Sequence, residues 1–336
     1  MPAAQFAYRK GLGCTDALLT ISHHLQKSLD TEMESHIVQL NFSTTFDRVS
    51  NSGLSFKLKY IGVGGSVLSI CTEFLSDRRK RYVVNGAASE WVPIIAGMPQ
   101  GCVLGPLLFI LHTSEMFELV ENRLFPHADD STLLAVVRKP AYRRAVAAYI
   151  YLYRDLDRIH EWFNPWCMIL NRNKTKALVV SRSWTVSHPH GDYVVSGVSI
   201  RASSNLDILG VKFDSRLTFE DHVRGIVSRV SQIIGILRLV KRIFLDTSLS
   251  LRCYFAFVLP ILKYCSPVWG SAAECHLQLL QRQVYLVARL CPVQSFLLLC
   301  HRRRVSGLGM MYKVNSNSNH FLFGELPSAS TRVRHT

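Results

Sequence analysis

The residues best suited to do chemistry are two adjacent acids, Asp129 and Asp130, in the stretch RLFPHADDSTLLAVV. Apolar runs flank them, Arg123–Phe125 before and Thr132–Val137 after, so the pair is expected at the tip of a β-hairpin. Side-by-side carboxylates offer the hard oxygen donors that Mg²⁺ favours. Acidic pairs are also common as solvated turn residues, and the pair alone does not separate the two. The second chemical feature is positive charge. Lys and Arg total 39 against 24 Asp and Glu, a formal +15. Residues 1–168 hold 17 basic and 16 acidic side chains (17 − 16 = +1), whereas 169–336 hold 22 and 8 (22 − 8 = +14). A neutral half beside a strongly basic one points to chemistry in the first and a grip on a polyanion in the second. The bland alternative is a half made basic for solubility.

The elements that must position these residues follow from periodicity. Residues 15–29 read as a helix, with Leu18, Leu19, Ser22, Leu25 and Leu29 at helical spacing. Residues 36–42 read as a strand, Ser52–Ile61 and Ser66–Leu75 as helices, and 81–84 with 91–95 as a hairpin around Asn85-Gly86. A Gly/Pro-rich loop, Gly97–Gly105, precedes a helix expected over 107–120, with Pro106 in its first turn. Residues 141–163 form a long amphipathic pattern, and 177–180, 193–200 and 206–213 read as three strands. From Asp221 the pattern is helical. Val223, Val227, Val230, Ile234, Leu237 and Lys241 recur every three or four positions, with arginines nearby.

Composition excludes several classes. At 48% hydrophobic and 19% charged, the chain is not a disordered tail. Its best apolar runs, Leu104–Leu111 and Tyr254–Leu262, are short and contain Pro, so no membrane partner is expected. No apolar leader with a cleavage site follows MPAAQFAYRKG, and the nine Cys show no CxxC pair, so a reduced intracellular setting, nucleus or cytoplasm, is expected. Arg78–Arg81 (RRKR) reads either as a strand-edge patch or as a nuclear signal.

Ordered blocks across residues 5 to about 292 resemble the reverse transcriptase of non-LTR (LINE-type) retrotransposons. They are QFAYRKGLGCTDALL, LNFSTTFDRV, FLSDRRKRYVVNG, GMPQGCVLGPLLFIL, HADDSTLL, WFNPWCMILNRNKTKALVV, LGVKFDSRLTFEDHV and YCSPVWGSA. The resemblance implies an α+β right-hand polymerase palm with partial fingers, followed by a mainly helical basic thumb. The expected divisions are partial fingers over 1–35, palm with an embedded fingers segment over 36–215, helical thumb over 216–300 and a loosely ordered tail over 301–336. The family block carrying an "RPIS" signature and the family's endonuclease are not found. The chain is therefore expected to be a piece of a longer polyprotein or a decayed copy.

In that family, nucleotide addition uses two divalent ions about 3.5–4 Å apart, held by carboxylates and substrate phosphates. The resemblance places Asp129 and Asp130 in the hairpin pair, with Mg²⁺ as the expected ion and Mn²⁺ as a substitute. The third carboxylate belongs on the first catalytic strand, where this chain has Asn41. An amide oxygen can touch a metal but brings no charge. Asp47 matches a different family aspartate; on an extended strand it would lie about 20 Å from Asn41. The resemblance makes Phe46 the sugar gate, Gln100 and Gly101 the turn that approaches template or incoming base, and Lys174 the proton donor to pyrophosphate; a buried core Phe and a plain solvated lysine are the bland alternatives. Arg9 is a remnant of the triphosphate-binding fingers, and Cys102 replaces a Ser. His127 replaces an aromatic residue, and a plain core or surface role suits it as well. Arg224, Arg229, Arg238, Lys241 and Arg242 are expected along one thumb edge, with the Arg302–Arg304 run as a further candidate. The expected partners are an RNA template, a DNA primer and deoxynucleoside triphosphates. The expected function is an RNA-directed DNA polymerase core impaired at Asn41; the alternative is a non-catalytic nucleic-acid-binding remnant.

Overall fold

The computed structural model describes residues 5–43, 45–137, 142–166, 169–171, 174–182, 192–195, 198–244, 247–290, 299–318 and 320–325. The chain divides into two units, residues 1–13 with 28–204, and residues 14–27 with 205–336. The split falls at 204/205 rather than the expected 215/216, because the hairpin after Ser204 is tied by its Lys212 N–H and its Asn205 side chain to His222 and Asp221 of the following helix. The helix α1, Cys14–Asp30, lies mostly in the second unit.

The first unit is built around β1 (Glu34–Leu40). After it come β2 (Phe42–Ser43), α2 (Thr45–Arg48), α3 (Asn51–Tyr60) and α4 (Gly65–Leu75). Ser50 caps α3, its Oγ accepting from Gly53 N–H at 3.2 Å. A ribbon follows from β3 (Arg79–Lys80), β4 (Val83–Val84), β5 (Ala87–Ala88) and β6 (Val92–Pro93). Then come α5 (Leu104–His112), β7 (Arg123–His127), β8 (Asp130–Val137), α6 (Tyr142–Phe163), β9 (Ile169–Leu170), β10 (Lys176–Val180), β11 (Asp192–Val195) and β12 (Val198–Arg201). The main sheet is antiparallel, in the order β10-β1-β8-β7. Val38 faces Leu133 and Ala177 across the ladders, and this face packs with Leu152, Leu156, Ile159 and Phe163 of α6. Ile37, Leu134 and Leu178, on the opposite face, are buried too. A sheet covered on both sides buries even the polar Glu34, Ser35 and His36 at the start of β1.

Several sequence expectations change. The strands expected over 81–84 and 91–95 do not pair with each other as one hairpin: β4 pairs with β5 around Asn85-Gly86, and β3 with β6. The helix expected over 107–120 ends at His112 and gives way to a 3-10 turn, Ser114–Glu118, where the Thr113 and Ser114 hydroxyls bond back to main-chain carbonyls. The run 193–200 is two paired strands, β11 and β12. The run 206–213 is likewise a hairpin, β13 (Asn205–Ile208) with β14 (Val211–Asp214), turning at Leu209-Gly210, both at positive φ.

In the second unit β13–β14 leads into α7 (Glu220–Phe244), then α8 (Thr247–Cys253), a π-helical turn over Tyr254–Val258, α9 (Leu259–Lys263), α10 (Ser266–Trp269), α11 (Glu274–Leu290) and α12 (Leu299–Ser316). The tail expected to be loose over 301–336 instead carries most of α12 and a turn with buried His320 and Leu322. Lys313 Nζ (2.5 Å) and His320 Nε2 (3.2 Å) both meet the buried carboxylate of Asp16, which fixes this segment. Residues 326–336 lie outside the described residues. No helix among the described residues is long and apolar enough to cross a membrane.

Beside α5, Lys57 is buried over the rings of Trp162 (4.4 Å) and Trp166 (4.3 Å), and its Nζ donates to the His112 carbonyl at 2.5 Å. The His112 ring packs edge-on to Trp166, and neither ring nitrogen has a hydrogen-bond partner among the described residues. Burial, then the Lys57 charge, push its pKa down from 6.5 to about 3. The unfolded chain therefore binds a proton below about pH 6.5 that the folded one refuses until about pH 3. Stability is expected to fall by up to about 1.4 kcal/mol per pH unit across that window. Urea unfolding at pH 7, 5 and 4 checks this, and His112→Phe is expected to flatten the slope.

Candidate active site

The register of the sheet assembles the site. Leu40–Ser131 is the last pair of β1 with β8; continued by one position, that register brings Asn41, just past the end of β1, level with Asp130, the first residue of β8. His127 pairs with Asp130, leaving Ala128-Asp129 as a two-residue turn. Ala128 sits at φ +58°, which costs a non-glycine residue about 1–2 kcal/mol. The turn is held from outside by Gln5, fully buried, whose Oε1 accepts from Ala128 N–H at 3.3 Å and from Ala7 N–H at 3.0 Å. Phe6 N–H also donates to the Pro126 carbonyl at 3.3 Å. Gln5 is a positioning residue that sequence reasoning missed; the only signal was an amide placed beside an apolar residue. Asp155 was missed too. Buried on α6, its carboxylate accepts from Glu121 N–H, Asn122 N–H and Asn122 Nδ2 at 2.8–2.9 Å, fixing the turn that enters β7.

Asp129 is exposed and Asp130 half-buried. Burial, then the Asp129 charge, raise the Asp130 pKa. Burial lowers the pKa of His127, against the opposing pull of Asp129. Asn41 is bracketed by the loop that carries Lys174. Asn171 N–H donates to the Asn41 carbonyl at 2.7 Å, and Asn41 N–H to Thr175 Oγ1 at 3.4 Å. Lys174 itself is exposed, its N–H bonded to Asn171.

A second cluster joins α2 and the residue after it, Val49, to the PQG turn. Met98 N–H donates to the Phe46 carbonyl (2.7 Å), Gly97 N–H to Val49 (2.8 Å) and Gln100 Nε2 to Asp47 Oδ1 (3.0 Å). Phe46 is half-buried against Phe109, ring centroids 4.5 Å apart. Gly101 sits at φ +78° with nothing among the described residues near its absent Cβ. The extended strand imagined to reach Asp47 does not exist: the chain turns helical at Thr45, and the Asp47 carboxylate is engaged by Gln100. Arg9 donates to the Gln5 carbonyl at 3.3 Å.

Cys102 shows how a thiol serves at this turn. Its Sγ donates to the Pro99 carbonyl (2.8 Å) and accepts from Gly105 N–H (3.2 Å) at the start of α5. Cys102→Ser is expected to leave the urea midpoint unchanged, whereas Cys102→Ala should cost about 1 kcal/mol. Equal midpoints for both variants would show that the thiol is no cap.

The donor set of Asp129, Asp130 and the Asn41 amide is made of hard oxygens and fits a divalent cation, with one charge fewer than three carboxylates. Among the described residues no group of three or more His, Cys, Asp or Glu is placed to hold a metal ion. In the second unit, the five expected thumb cations do not share one edge. At about 100° per residue, Arg224 and Arg242 lie five turns apart on one line, with Arg238 about 40° away. Arg229 is rotated about 140° from Arg224, and Lys241 continues the line of buried Val223, Val230 and Ile234. Arg224 is also paired to Glu220 at 2.6 Å. Arg229 instead lines a cavity of about 600 Å³ with Lys212 and His222.

Residues 1–213 match the family described as reverse transcriptase (RNA-dependent DNA polymerase). The chain is 28% identical, over 87% of its length and 33% of the relative's, to the probable RNA-directed DNA polymerase from transposon BS of Drosophila melanogaster. It is 28% identical, over 82% of its length and 30% of the relative's, to the RNA-directed DNA polymerase from mobile element jockey of the same organism. The chain thus spans about a third of the length of the curated relatives it matches. Among solved structures it is similar to telomerase from Candida albicans in complex with a TWJ fragment of telomeric RNA, at 13% identity and TM-score 0.44, over 94% of this chain and 50% of that one. Because the family match runs through the acid hairpin, the Asn41 strand and the PQG turn alike, the chain belongs to the reverse transcriptase family.

Proposed function

We propose that this chain is the RNA-directed DNA polymerase core of a non-LTR retrotransposon, acting inside the cell on an RNA template, a DNA primer and deoxynucleoside triphosphates, and impaired by Asn41. The observation that carries this reading is the register that sets Asn41 level with Asp130, with the Lys174 loop bonded to it. Asp129, Asp130 and the Asn41 amide oxygen would hold the divalent ion, Mg²⁺ or Mn²⁺, whose charge when bound supplies activation of the primer hydroxyl and neutralisation of phosphate. Phe46, braced on Phe109, would exclude a ribose 2′-hydroxyl. Gln100 and Gly101 would meet the template or incoming base. Lys174 would give a proton to departing pyrophosphate. Arg9, one of whose guanidinium donors reaches the Gln5 carbonyl, would turn its remaining donors to the triphosphate. Arg224, Arg238 and Arg242 would contact duplex phosphates without reading sequence.

The test is template–primer binding across a salt series, followed by primer extension with Mg²⁺ and with Mn²⁺. Salt-sensitive binding with little extension is expected. Absence of binding would end the polymerase reading, and extension at ordinary polymerase rates would end the claim of impairment. A second reading, a binding remnant without turnover, is favoured by the missing third carboxylate. A folded Asn41→Asp chain that binds template–primer and extends nothing would support it, with the deficit reaching beyond position 41.

A further inference from the structure

The polymerase reading leaves the basic run Arg78–Arg81 and its ribbon without a task. Arg78 is spent on structure: it donates to the carbonyls of Leu75 and Gly97, and Ile94 N–H returns to its own carbonyl at 2.8 Å. A bridge between Ser50 and Ala96 ties the same base to the palm. Above this anchored base, every residue from 79 to 93 is exposed. The ribbon closes on Asn85-Gly86, both at positive φ, as a two-residue hairpin turn prefers.

What the ribbon exposes is unusual in kind. Trp91 is 54% exposed and Tyr82 is 66% exposed. Each ring is backed by a cation, Arg81 at 4.7 Å from Trp91 and Lys80 at 6.0 Å from Tyr82. Arg79 pairs with Pro93 and Lys80 with Val92, so the register sets Arg81 opposite Trp91. By strand alternation Lys80 and Tyr82 share the other side of their strand. Along 79–93 three cations face a single acid, Glu90. A ring with one face on its own cation presents its other face to a flat partner, beside phosphate-seeking charge.

We propose that this ribbon is a stacking platform for single-stranded nucleic acid. On one side of the ribbon a base lies on Trp91, with Arg79 and Arg81 beside it for the phosphates, and on the other side Tyr82 and Lys80 repeat the arrangement. The proposal rests on the reading that the chain engages nucleic acid, and adds a site outside the acid hairpin. The shared chemistry is a base and a phosphodiester, which an RNA or a DNA strand supplies.

The experiment uses the full chain, fluorescein-labelled 20-mers of U and of dT, and a labelled blunt duplex, read by fluorescence anisotropy. Trp91→Ala and Tyr82→Ala should each weaken single-strand binding by about tenfold. Duplex affinity and the unfolding midpoint should stay as in the native chain, and Trp91→Phe should retain most of the affinity. Arg79→Gln with Lys80→Gln and Arg81→Gln should lower the salt slope by about two. Loss on one labelled strand alone supports the platform and identifies which strand it takes. Native affinity in the double aromatic variant would overturn the platform, as would an equal loss on duplex. So would charge variants that aggregate at unchanged affinity, since the cations would then only guard a strand edge. Those three results leave the polymerase reading standing, whereas a chain that binds none of the three probes overturns both.

Discussion

Asn41→Asp is expected to convert trace primer extension into sustained synthesis, a gain of about 100-fold or more in kcat/KM, equivalent to about 2.7 kcal/mol of transition-state stabilisation. The position is set by backbone pairing, since Leu40 faces Ser131 and the Asn41 main chain bonds to Asn171 and Thr175 on its other side. The substitution changes one terminal atom and hardly alters volume. What it adds is a charge where the fold already gathers two. At about 4 Å and an effective dielectric near 20, each unit-charge attraction is about 4 kcal/mol, part of it lost to desolvation. A second variant removes ambiguity: Asp130→Asn in the Asn41→Asp background should return extension to background while template–primer affinity holds. The measurement is extension of a labelled primer on an RNA template in Mg²⁺. If the native chain and the revertant extend equally, position 41 is no ligand. If a folded revertant extends nothing, the deficit lies elsewhere in the chain.

Gly97→Ala is expected to be the most damaging small substitution in the first unit, with a loss of about 3 kcal/mol or more in urea unfolding. Gly97 sits at φ +88°, and a Cβ there would lie 2.6 Å from the Asp47 carbonyl oxygen and 2.8 Å from its Cα. Both atoms are backbone, so no rotamer relieves the clash. Relief requires moving the segment that carries Phe46 and Asp47, which breaks the Met98–Phe46, Gly97–Val49 and Gln100–Asp47 bonds together. Gly101 provides the control. It has nearly the same φ, +78°, but nothing among the described residues within 4 Å of its absent Cβ. Gly101→Ala should cost only the left-handed penalty of about 1–2 kcal/mol. Similar losses for the two variants would mean that backbone conformation, and not the approach of Asp47, makes position 97 sensitive.

Much of this protein was legible without coordinates. The helices over 14–30, 51–60, 65–75 and 142–163 were read from period, caps and glycines to within a residue or two, because those signals act between neighbours in sequence. The acid hairpin and the Asn85-Gly86 turn were legible for the same reason. Where a local rule has two readings, sequence misled. The run 193–200 and the run 206–213 each carry a glycine near the middle, which permits a bulged strand or a turn, and both fold back on themselves.

Everything that makes a site was decided at long range. Asn41 comes level with Asp130 only through the pairing of β1 with β8, two segments some ninety residues apart in the chain, which sets Val38 against Leu133 and Leu40 against Ser131. Gln5 holds Ala128 across more than a hundred residues, and Gly97, already at positive φ, is denied any Cβ because Asp47 lies against it. The thumb arginines, adjacent in any reading of composition, are distributed around α7 by a fixed angle per residue. Sequence determined which residue types are present and the local geometry that short-range sterics and hydrogen bonds impose. Tertiary structure alone decided which of them face one another, because partners far apart in the chain are selected by packing, which no short window of sequence contains.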